Sequence, residues 1–600
     1  MIVYGDAVRE VSRRHALENA CFEIDLAIGE PGCEAVRRAL IHLGEIEQAL
    51  QDASSGAEAP DGPARAARAA SDAAADAFER LLGSDPVDPR AARRAREDLR
   101  RARRFLALVP PSQESLLVRI PEGFAYYCLL PDSYRACARR WAEEHEEDAE
   151  RDVLVLGVRS IGTTLSAVVA AALRARGFRA RRETARPVGH PLARRVEGRV
   201  PPASRGIVVD EGPGLSGSSM LAAADMLRSS GIDPASIDFV PAHAAGPGIA
   251  ASASARRRFR SHASYVAGHG APEGGVPGLA QALWGGIEAL RGDEPGPCED
   301  WSHGAWRALL FQAPSQWPAV IRALERPKLL VTGASGRRVL FKYAGLATAP
   351  RGRASMADAA ARRLSELARH GWVSAPLGVS LGFVATDWIA GVPCTSSDAP
   401  SEALACVSAY LVASARGPLP PREARDARRR LTDMVRVNVA EALDRDSASA
   451  ALDILEGSGA PGRHMPAAGD GRMAPHEWIR TPEGRLVKTD AGGHDLDHTW
   501  VGRQPLPWDV AGTILEWDLP GERAAAFVAD LEARSGLRAG ACLPGYLVAY
   551  AAHRLGQCRF FAEAERDPLE REILERALER WRETLLRLLG TGLEQRERVA

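Results

Sequence analysis

Short apolar runs alternate with helical patterns in the middle of the chain. Three short, mostly apolar runs occur, at residues 153–158, 206–210 and 237–241. Between them, apolar residues recur at helical spacing over 165–176 and 219–230. Buried strands separated by helices are typical of a parallel sheet with crossover connections. The pattern therefore predicts an α/β domain over residues 106–275.

The first 105 residues have the pattern of a helical region. Apolar positions recur at helical spacing over 7–50, for example at Leu40, Leu43 and Ile46. The stretch 51–75 is rich in Ala, Ser, Gly, Pro and Asp, and this composition predicts a linker. An arginine-rich helix is expected over 88–105, where exposure to solvent explains the charges most simply.

A different order of elements is predicted beyond the central domain. Glycines and prolines cluster between Gly268 and Pro297, so residues 276–317 are predicted to be a connector. From 318 to 600 the pattern indicates two strands, a helix at 355–370, two more strands and then mostly helices, which is an α+β arrangement. An amphipathic helix is expected at 559–588.

Composition limits the classes of function. Six hundred residues exceed what one core accommodates, so several domains are expected. The formal net charge of -1 disfavours nucleic acid and anionic membranes as partners, because both require a positive field. No apolar run reaches the roughly 18 residues of a membrane span, and no targeting pattern opens the chain, so a cytoplasmic location is expected. Nine dispersed cysteines without a C-x-x-C pair predict reduced thiols. The oligomeric state is not predicted.

The basic residues are almost all arginines. Of 77 basic residues, three are lysines: Lys328, Lys342 and Lys488. Such a bias is typical of a GC-rich coding sequence and explains the arginines without a function. Each lysine is more informative, because an ammonium and a guanidinium are not interchangeable at a tight site.

Candidate chemistry follows the second apolar run. Asp210 and Glu211 are expected at the carboxyl end of a parallel strand, where ligands of open α/β sheets bind. A glycine- and serine-rich loop then leads into a helix, and such a loop presents backbone amides to a phosphate. Its predicted phosphate-binding residues are Gly214, Ser216, Gly217, Ser218 and Ser219. Two adjacent carboxylates suit the hydroxyls of a ribose and the positive charge that develops at its C1.

These residues resemble the type I phosphoribosyltransferase family. The resemblance implies that Asp210 and Glu211 hold the ribose of phosphoribosyl pyrophosphate (PRPP), a substrate that carries Mg²⁺. It also implies a pyrophosphate loop after an earlier strand, where this chain has Arg159, Ser160 and Gly162. The loop after the acids is one residue longer than usual in the family, which leaves the individual hydroxyl roles open.

Two further segments of the central region have open interpretations. Residues 179–205 contain Arg186 and His190 and correspond to a mobile loop that closes over PRPP in the family. A solvated loop explains the same residues equally well. The aromatic segment 123–127 could roof the acceptor site, or it could belong to the core.

The last 280 or so residues resemble the aminoglycoside/choline phosphotransferase group of kinase-like folds. The resemblance implies ATP and Mg²⁺ as cofactors, with Lys342 on the nucleotide phosphates. It implies that Asp470 is the catalytic base, that Asp490 and His476 are metal ligands, and that 388–391 is the hinge that contacts adenine. Either Asp358 or Glu366 would be the helix acid that pairs with Lys342.

The match to that group is incomplete. No recognisable glycine-rich phosphate loop precedes Lys342, the His-Gly-Asp motif is Ala-Gly-Asp, and His476 stands where an Asn is expected. The motif His494-Asp495-Leu496-Asp497-His498 could hold a metal, since histidines four apart share a helix face. A hydrogen-bonded loop is the simpler interpretation.

Three functional hypotheses follow. The first is a two-site enzyme of nucleotide metabolism that transfers or releases ribose 5-phosphate and phosphorylates a related molecule. It resembles phosphoribosyltransferase-like proteins of tellurite-resistance-type gene clusters. The second is a regulator that senses PRPP and nucleotide with inactive sites, and the third is an interaction scaffold. PRPP and a nucleotide or base are the predicted small-molecule partners.

Overall fold

The computed structural model describes residues 2–3, 8–54, 62–82, 88–190, 192–198, 200–268, 275–349, 354–396, 400–491 and 501–597, with side chains up to 590. Among these residues, no helix combines the length and the apolar character that a membrane span requires.

An antiparallel strand pair and four helices form the amino-terminal region. The elements are β1 (Val8–Ser12), α1 (Arg13–Gly29), α2 (Cys33–Ala53), α3 (Gly62–Leu82), α4 (Pro89–Leu106) and β2 (Ser115–Arg119), with β1 paired to β2. Most of the stretch predicted as a linker is helical, because α3 begins at Gly62. Alanine, which dominates this segment, has the highest helix propensity, and its small side chain allows close packing.

A five-stranded sheet forms the central region. The elements are α5 (Glu122–Ala125), α6 (Pro131–Glu144), β3 (Asp152–Val158), α7 (Ile161–Ala175), β4 (Arg179–Val188), β5 (Arg195–Glu197), β6 (Arg205–Val209), α8 (Ser218–Ser229), β7 (Ile237–Val240) and α9 (Ala253–Arg260). The strand order is β5-β4-β3-β6-β7, in which only β5 is antiparallel to its neighbour. The predicted strands are found at β3, β6 and β7. The chain moves outward from β3 to β4 and then returns to β6, so the topological switch point lies between β3 and β6.

A second five-stranded sheet follows. The elements are α10 (Gly275–Gly285), β8 (Pro295–Asp300), α11 (Arg307–Leu310), β9 (Lys328–Gly333), β10 (Arg338–Tyr343), α12 (Met356–Ala368), β11 (Pro376–Ser380) and β12 (Phe383–Asp387). Its order is β11-β12-β10-β9-β8, with antiparallel pairing. The predicted connector at 276–317 thus contains α10 and an edge strand of this sheet. Proline is tolerated in β8 because an edge strand does not need every amide for pairing.

The remainder is mostly helical. It contains β13 (Val392–Pro393), α13 (Ser401–Ser414), β14 (Arg416–Pro418), α14 (Pro421–Ala442), α15 (Arg445–Gly457), β15 (Pro466–Ala467), β16 (Trp478–Arg480), β17 (Leu486–Lys488), α16 (Pro507–Glu516), α17 (Gly521–Ser535), α18 (Leu543–Ala564) and α19 (Pro568–Glu597). The helix expected at 559–588 is divided between α18 and α19. Pro568 begins the second helix, since proline is accommodated in a first turn but not in a helix interior.

Buried charge and shared core join the amino-terminal helices to the central sheet. The guanidinium of Arg182 on β4 is buried and donates to Glu47 on α2, at 2.9 and 3.0 Å, and to Asp72 on α3, at 2.7 Å. Val168 and Ala171 of α7 belong to the same apolar cluster as these helices. The helical region is therefore a structural part of the central domain.

The central region also packs against the second sheet. The carbonyl of Phe124 accepts hydrogen bonds from the Tyr343 hydroxyl at 2.5 Å and the Leu346 amide at 2.7 Å. One apolar cluster contains side chains of both sheets, including Val155, Ile207 and Phe341. The aromatic segment 123–127 is thus largely core.

Candidate functional site

Two loops meet at the switch point of the central sheet. Gly157 of β3 pairs with Val209 of β6, so the carboxyl ends of these strands are adjacent. Gly162, just beyond β3, approaches β6 so closely that a Cβ atom would lie 2.7 Å from the Val209 carbonyl oxygen. Any larger residue would displace the loop. Ser160 has φ 131° and ψ -105°, a backbone conformation that side chains rarely adopt. The predicted pyrophosphate loop and the predicted acids therefore lie side by side; we call this place the central crevice.

Asp210 and Glu211 are half-buried at the carboxyl end of β6. The Asp210 carboxylate accepts a hydrogen bond from the Glu211 amide at 2.8 Å, and its carbonyl accepts one from the Tyr134 hydroxyl at 2.9 Å. Burial raises the pKa of Asp210 to about 7. Burial also raises the pKa of Glu211, and the negative charges of Glu122 and Asp210 raise it further. The two carboxyl groups are thus held where ionisation is costly and hydrogen-bond donors would stabilise them.

The predicted phosphate loop opens α8. Gly214 and Gly217 have φ values of 57° and 74°, in the left-handed region that favours glycine. Gly217 caps the helix, and its amide donates to the Pro213 carbonyl at 2.7 Å. The Ser216 hydroxyl is buried and donates to the Ser218 hydroxyl at 2.9 Å, while Ser219 is half-buried in the first turn of α8. A Cβ atom at Gly214 would meet no atom within 4 Å, so the loop is open on that side.

Arg159 is engaged by an acid that the sequence did not indicate. Its guanidinium donates to Asp52 at 3.1 Å and to the Thr184 hydroxyl at 3.1 Å. Arg186 donates to the same carboxylate, at 2.9 Å through Nε and also through Nη2, and to the Arg159 carbonyl at 2.8 Å. Asp52 lies at the end of α2. One carboxylate of the amino-terminal region therefore binds both arginines beside the predicted pyrophosphate loop.

His243 and Tyr134 are further residues of the crevice that the sequence analysis missed. A Cβ atom at Gly212 would lie 2.8 Å from His243 Nε2, so the histidine packs against the start of the loop. Burial lowers the pKa of His243. His243 follows the carboxyl end of β7, and the rule that ligands bind at strand ends would have identified it. His190, by contrast, is exposed in the β4–β5 hairpin.

A cavity of about 300 Å³ lies between the second sheet and the carboxyl-terminal helices; we call it the carboxyl-terminal cleft. Its wall includes Lys342, Glu477, Lys488 and Asp490. Lys342 on β10 forms an ion pair with Asp490, which follows β17. Burial lowers the pKa of Lys342, an effect that Asp490 opposes. A lysine and an acid predicted to bind nucleotide are thus brought together from positions 148 residues apart.

Neither helix acid pairs with Lys342. Asp358 closes a capping box at the start of α12, where its carboxylate accepts the Ser355 hydroxyl at 2.7 Å. Glu366 is 59% exposed and pairs with Arg363 at 3.1 Å. Each acid is used by its own helix, so Asp490 is the partner of Lys342.

Asp470 is fully buried and does not line the cleft. Its carboxylate accepts hydrogen bonds from the Tyr410 hydroxyl at 2.5 Å and the Arg472 amide at 3.3 Å. The preceding turn is held by Asp509 on α16, which accepts the amides of Gly469, Asp470 and Gly471 at 3.1, 3.2 and 2.9 Å. Burial, together with the charge of Asp470, raises the pKa of Asp509 to about 7.

His476 stacks on Trp306, with ring centroids 5.4 Å apart. Burial lowers its pKa to about 4, so the ring is neutral at physiological pH. Glu477, the next residue, lines the cleft and accepts the Lys488 ammonium at 2.8 Å. Glu477 immediately precedes β16, and sequence analysis did not single it out. The motif from His494 to His498 lies outside the described residues.

The predicted hinge begins at Trp388, directly after β12, and β12 pairs with the strand of Lys342, so that Val384 is the partner of Lys342. Val384, Thr386, Trp388 and Ile389 line this part of the cleft, and Trp301 packs edge-on against Trp388 with ring centroids 4.7 Å apart. This apolar, aromatic wall suits a planar ring system, while the charged wall near Lys342 suits phosphates.

Neither a protein-family model nor a curated protein matches this chain. Solved structures that resemble part of it include kinases and phosphotransferases. Choline kinase LicA from Streptococcus pneumoniae is 14% identical, with 43% of this chain and 89% of that chain covered and a TM-score of 0.30. An aminoglycoside phosphotransferase from Alicyclobacillus acidocaldarius is 15% identical, with 45% and 90% covered and a TM-score of 0.29. A putative fructosamine-3-kinase from Thermobifida fusca is 17% identical, with 53% and 98% covered and a TM-score of 0.29. Identities and TM-scores this low do not establish a shared function.

Proposed function

We propose that the central crevice binds PRPP and makes or breaks the bond at C1 of its ribose, and that the carboxyl-terminal cleft binds a nucleotide. The protein would then be a phosphoribosyltransferase of nucleotide metabolism with a kinase-like nucleotide-binding domain. The observation that carries this proposal is the placement of the twin acids and the Gly162 loop on adjacent strand ends at the switch point.

The residues of the crevice would have separate tasks. Asp210 and Glu211 accept hydrogen bonds from the two ribose hydroxyls, and their negative charge stabilises the positive charge that develops at C1. The amides at the start of α8 bind the 5-phosphate, aided by the helix dipole. The amides of 160–163 bind the pyrophosphate leaving group.

A divalent metal fits this reaction as part of the substrate. Within the described residues, no three His, Cys, Asp or Glu side chains are arranged to hold a metal ion. Mg²⁺ is commonly held by substrate phosphates and few protein ligands. When bound with PRPP, it would neutralise the leaving pyrophosphate.

The carboxyl-terminal cleft supports nucleotide binding better than phosphoryl transfer. Lys342 provides a cation for phosphates, and the Trp388 wall provides a surface for a base. Asp470, predicted to be the base, is satisfied by Tyr410 and does not reach the cavity. A general base must come within hydrogen-bond reach of the proton that it removes.

A second candidate function, a sensor of PRPP and nucleotide, is favoured by two observations. Asp470 is withdrawn from the cleft, and Arg159 is already paired with Asp52. Pyrophosphate release from PRPP, measured with a panel of bases and nucleosides as acceptors, separates the two. Release above the rate without protein supports the enzyme, whereas PRPP binding in calorimetry without release with any acceptor supports the sensor.

Replacing Asp52 with Asn is expected to strengthen pyrophosphate binding by about tenfold. The carboxylate competes with the anion for Arg159 and Arg186, and a charge-assisted hydrogen bond is worth ~1.5–3 kcal/mol. Calorimetric titration with inorganic pyrophosphate gives the comparison. Asp72→Asn is the matched control, because Asp72 pairs with Arg182 in the same interface but not with either arginine of the crevice. Equal affinities in all three proteins would contradict the assignment of Asp52 as a competitor.

A further inference from the structure

The Lys488 ammonium is enclosed by acceptors of the protein. The side chain is fully buried at the end of β17. It donates to Glu477 at 2.8 Å and to the Asp490 carbonyl, and it lies 3.3 Å from the Asp470 carboxylate. An ammonium has three donors, and these three acceptors account for all of them. Two of these acceptors are carboxylates, so Lys488 forms ion pairs with both Asp470 and Glu477.

The carboxylates of Glu477 and Asp490 in the cleft wall, and of Asp470 behind it, already pair with protein cations. Asp490 pairs with Lys342, Glu477 with Lys488 and Arg472, and Asp470 with Lys488. Three carboxylates therefore face three cations. A divalent ion needs oxygen ligands whose negative charge is not already compensated. His476 is not such a ligand, because it is an imidazole stacked on Trp306, and Mg²⁺ prefers oxygen.

More basic than acidic side chains line the cleft among the described residues, although Asp470 and Glu516 behind the wall pair with Lys488 and Arg554. Its described wall includes six basic side chains, those of Arg326, Lys328, Lys342, Arg472, Lys488 and Arg554. It includes four acidic ones, those of Glu325, Asp387, Glu477 and Asp490. Lys328 stands opposite Lys342 on the paired strands β9 and β10, so two ammonium groups flank the same part of the cavity. Lys328 also pairs with Glu325, and Lys342 with Asp490, so a bound anion would share these two ammonium groups with the acids.

We propose that Lys488 is a resident cation that replaces the divalent metal in the carboxyl-terminal cleft, which therefore binds a metal-free nucleoside polyphosphate. Lys342 and Lys328 bind the phosphates. Lys488 neutralises the carboxylates of Asp470 and Glu477, which would otherwise repel the phosphates. This inference depends on the proposal that the cleft binds a nucleotide, and it disagrees with the magnesium site that the kinase resemblance implies.

The test is the affinity of the full-length protein for ADP and ATP, measured by calorimetry in Mg²⁺ and in EDTA. Because Mg²⁺ complexes the free nucleotide in solution, the inference predicts that the affinity in EDTA equals or exceeds the affinity in Mg²⁺. A loss of affinity greater than about tenfold in EDTA would overturn it while leaving nucleotide binding intact. The absence of binding under both conditions would instead overturn the nucleotide assignment itself.

Substitution of Lys488 tests its role directly. Lys488→Met leaves Asp470 and Glu477 uncompensated, so its affinity for ADP in EDTA should fall by about tenfold or more and should recover with Mg²⁺. Arg485→Met, an exposed residue of the same β16–β17 hairpin, is the control and should behave as the wild type. If Lys488→Met does not fold, the double variant Lys488→Met, Glu477→Gln removes one charge of each sign and is measured in its place. A folded variant with unchanged, metal-independent affinity would refute the role of Lys488.

Discussion

The double variant Asp210→Asn, Glu211→Gln is expected to lower pyrophosphate release from PRPP by at least about 1000-fold. Each carboxylate contributes negative charge beside the ribose, and removing one group that stabilises a transition state typically costs 10²–10³ in rate. The substitutions are nearly isosteric, and the amide oxygens can still accept the hydrogen bond that Asp210 receives from the Glu211 amide. Asp225→Asn, on the solvent side of α8, is the matched control and should retain full activity.

Stability measurements distinguish loss of chemistry from loss of fold. The pKa of Asp210 is raised from its usual value to about 7 by burial, and the pKa of Glu211 is raised as well. Because the folded protein disfavours the ionised acids, the wild type should lose stability as the pH rises from about 4 to about 7. The neutral double variant lacks this loss. The free energy of unfolding in urea is measured for both proteins at pH 5 and at pH 8. The value for the double variant minus that for the wild type should be larger at pH 8 than at pH 5. Retained turnover in a stable variant would remove the ribose assignment, and a stability difference between the two proteins that does not change from pH 5 to pH 8 would contradict the burial argument.

Replacing Lys342 with Met should raise the dissociation constant for ADP and ATP by about 10- to 100-fold. The variant loses a charge-assisted hydrogen bond worth ~1.5–3 kcal/mol, and it leaves the Asp490 carboxylate without its cation near the phosphates. Calorimetry gives the affinities. Arg362→Met is a suitable control, because it removes a positive charge from the exposed face of α12. Unchanged affinity in the Lys342 variant would place the nucleotide elsewhere.

The central strands and the twin acids could be predicted because their signals are local. Strands β3, β6 and β7 are mostly apolar runs, as is typical of buried parallel strands. The placement of Asp210 at a strand end then follows from the order of elements. The acid that pairs with the arginines of the crevice, Asp52, could not be found in this way. Asp52 reaches Arg159 across 107 positions of sequence, and no local pattern marks such a pair.

Helix α3 and strand β8 lie in segments that were predicted to be a linker and a connector from their amino-acid composition alone. The segment that contains α3 has glycine and proline near its start, and these outweighed an alanine content that favours helix. The residues of β8, Pro295–Asp300, have a loop composition, but they pair at a sheet edge with a register shift between Pro295 and Cys298. An edge position with a bulge removes the need for regular pairing.

The carboxyl-terminal cleft shows a different limit of sequence analysis. Lys342 and Asp490 could be selected from their order along the chain, and they do meet. The positions of Asp470 and Lys488 depend on side-chain direction at the ends of short elements. A lysine two residues before Asp490 fills the space beside both Asp470 and Glu477. Asp470 and Glu477 are therefore present in the sequence, but their negative charges are neutralised by Lys488 within the protein.

A crystal structure of the protein soaked with PRPP and Mg²⁺ tests the central claim most directly. We expect the 5-phosphate within hydrogen-bond distance of the amides at the start of α8, the ribose hydroxyls on Asp210 and Glu211, and the pyrophosphate beside residues 160–163. Electron density for PRPP elsewhere, with the carboxylates of Asp210 and Glu211 bonded only to protein atoms, would contradict the account.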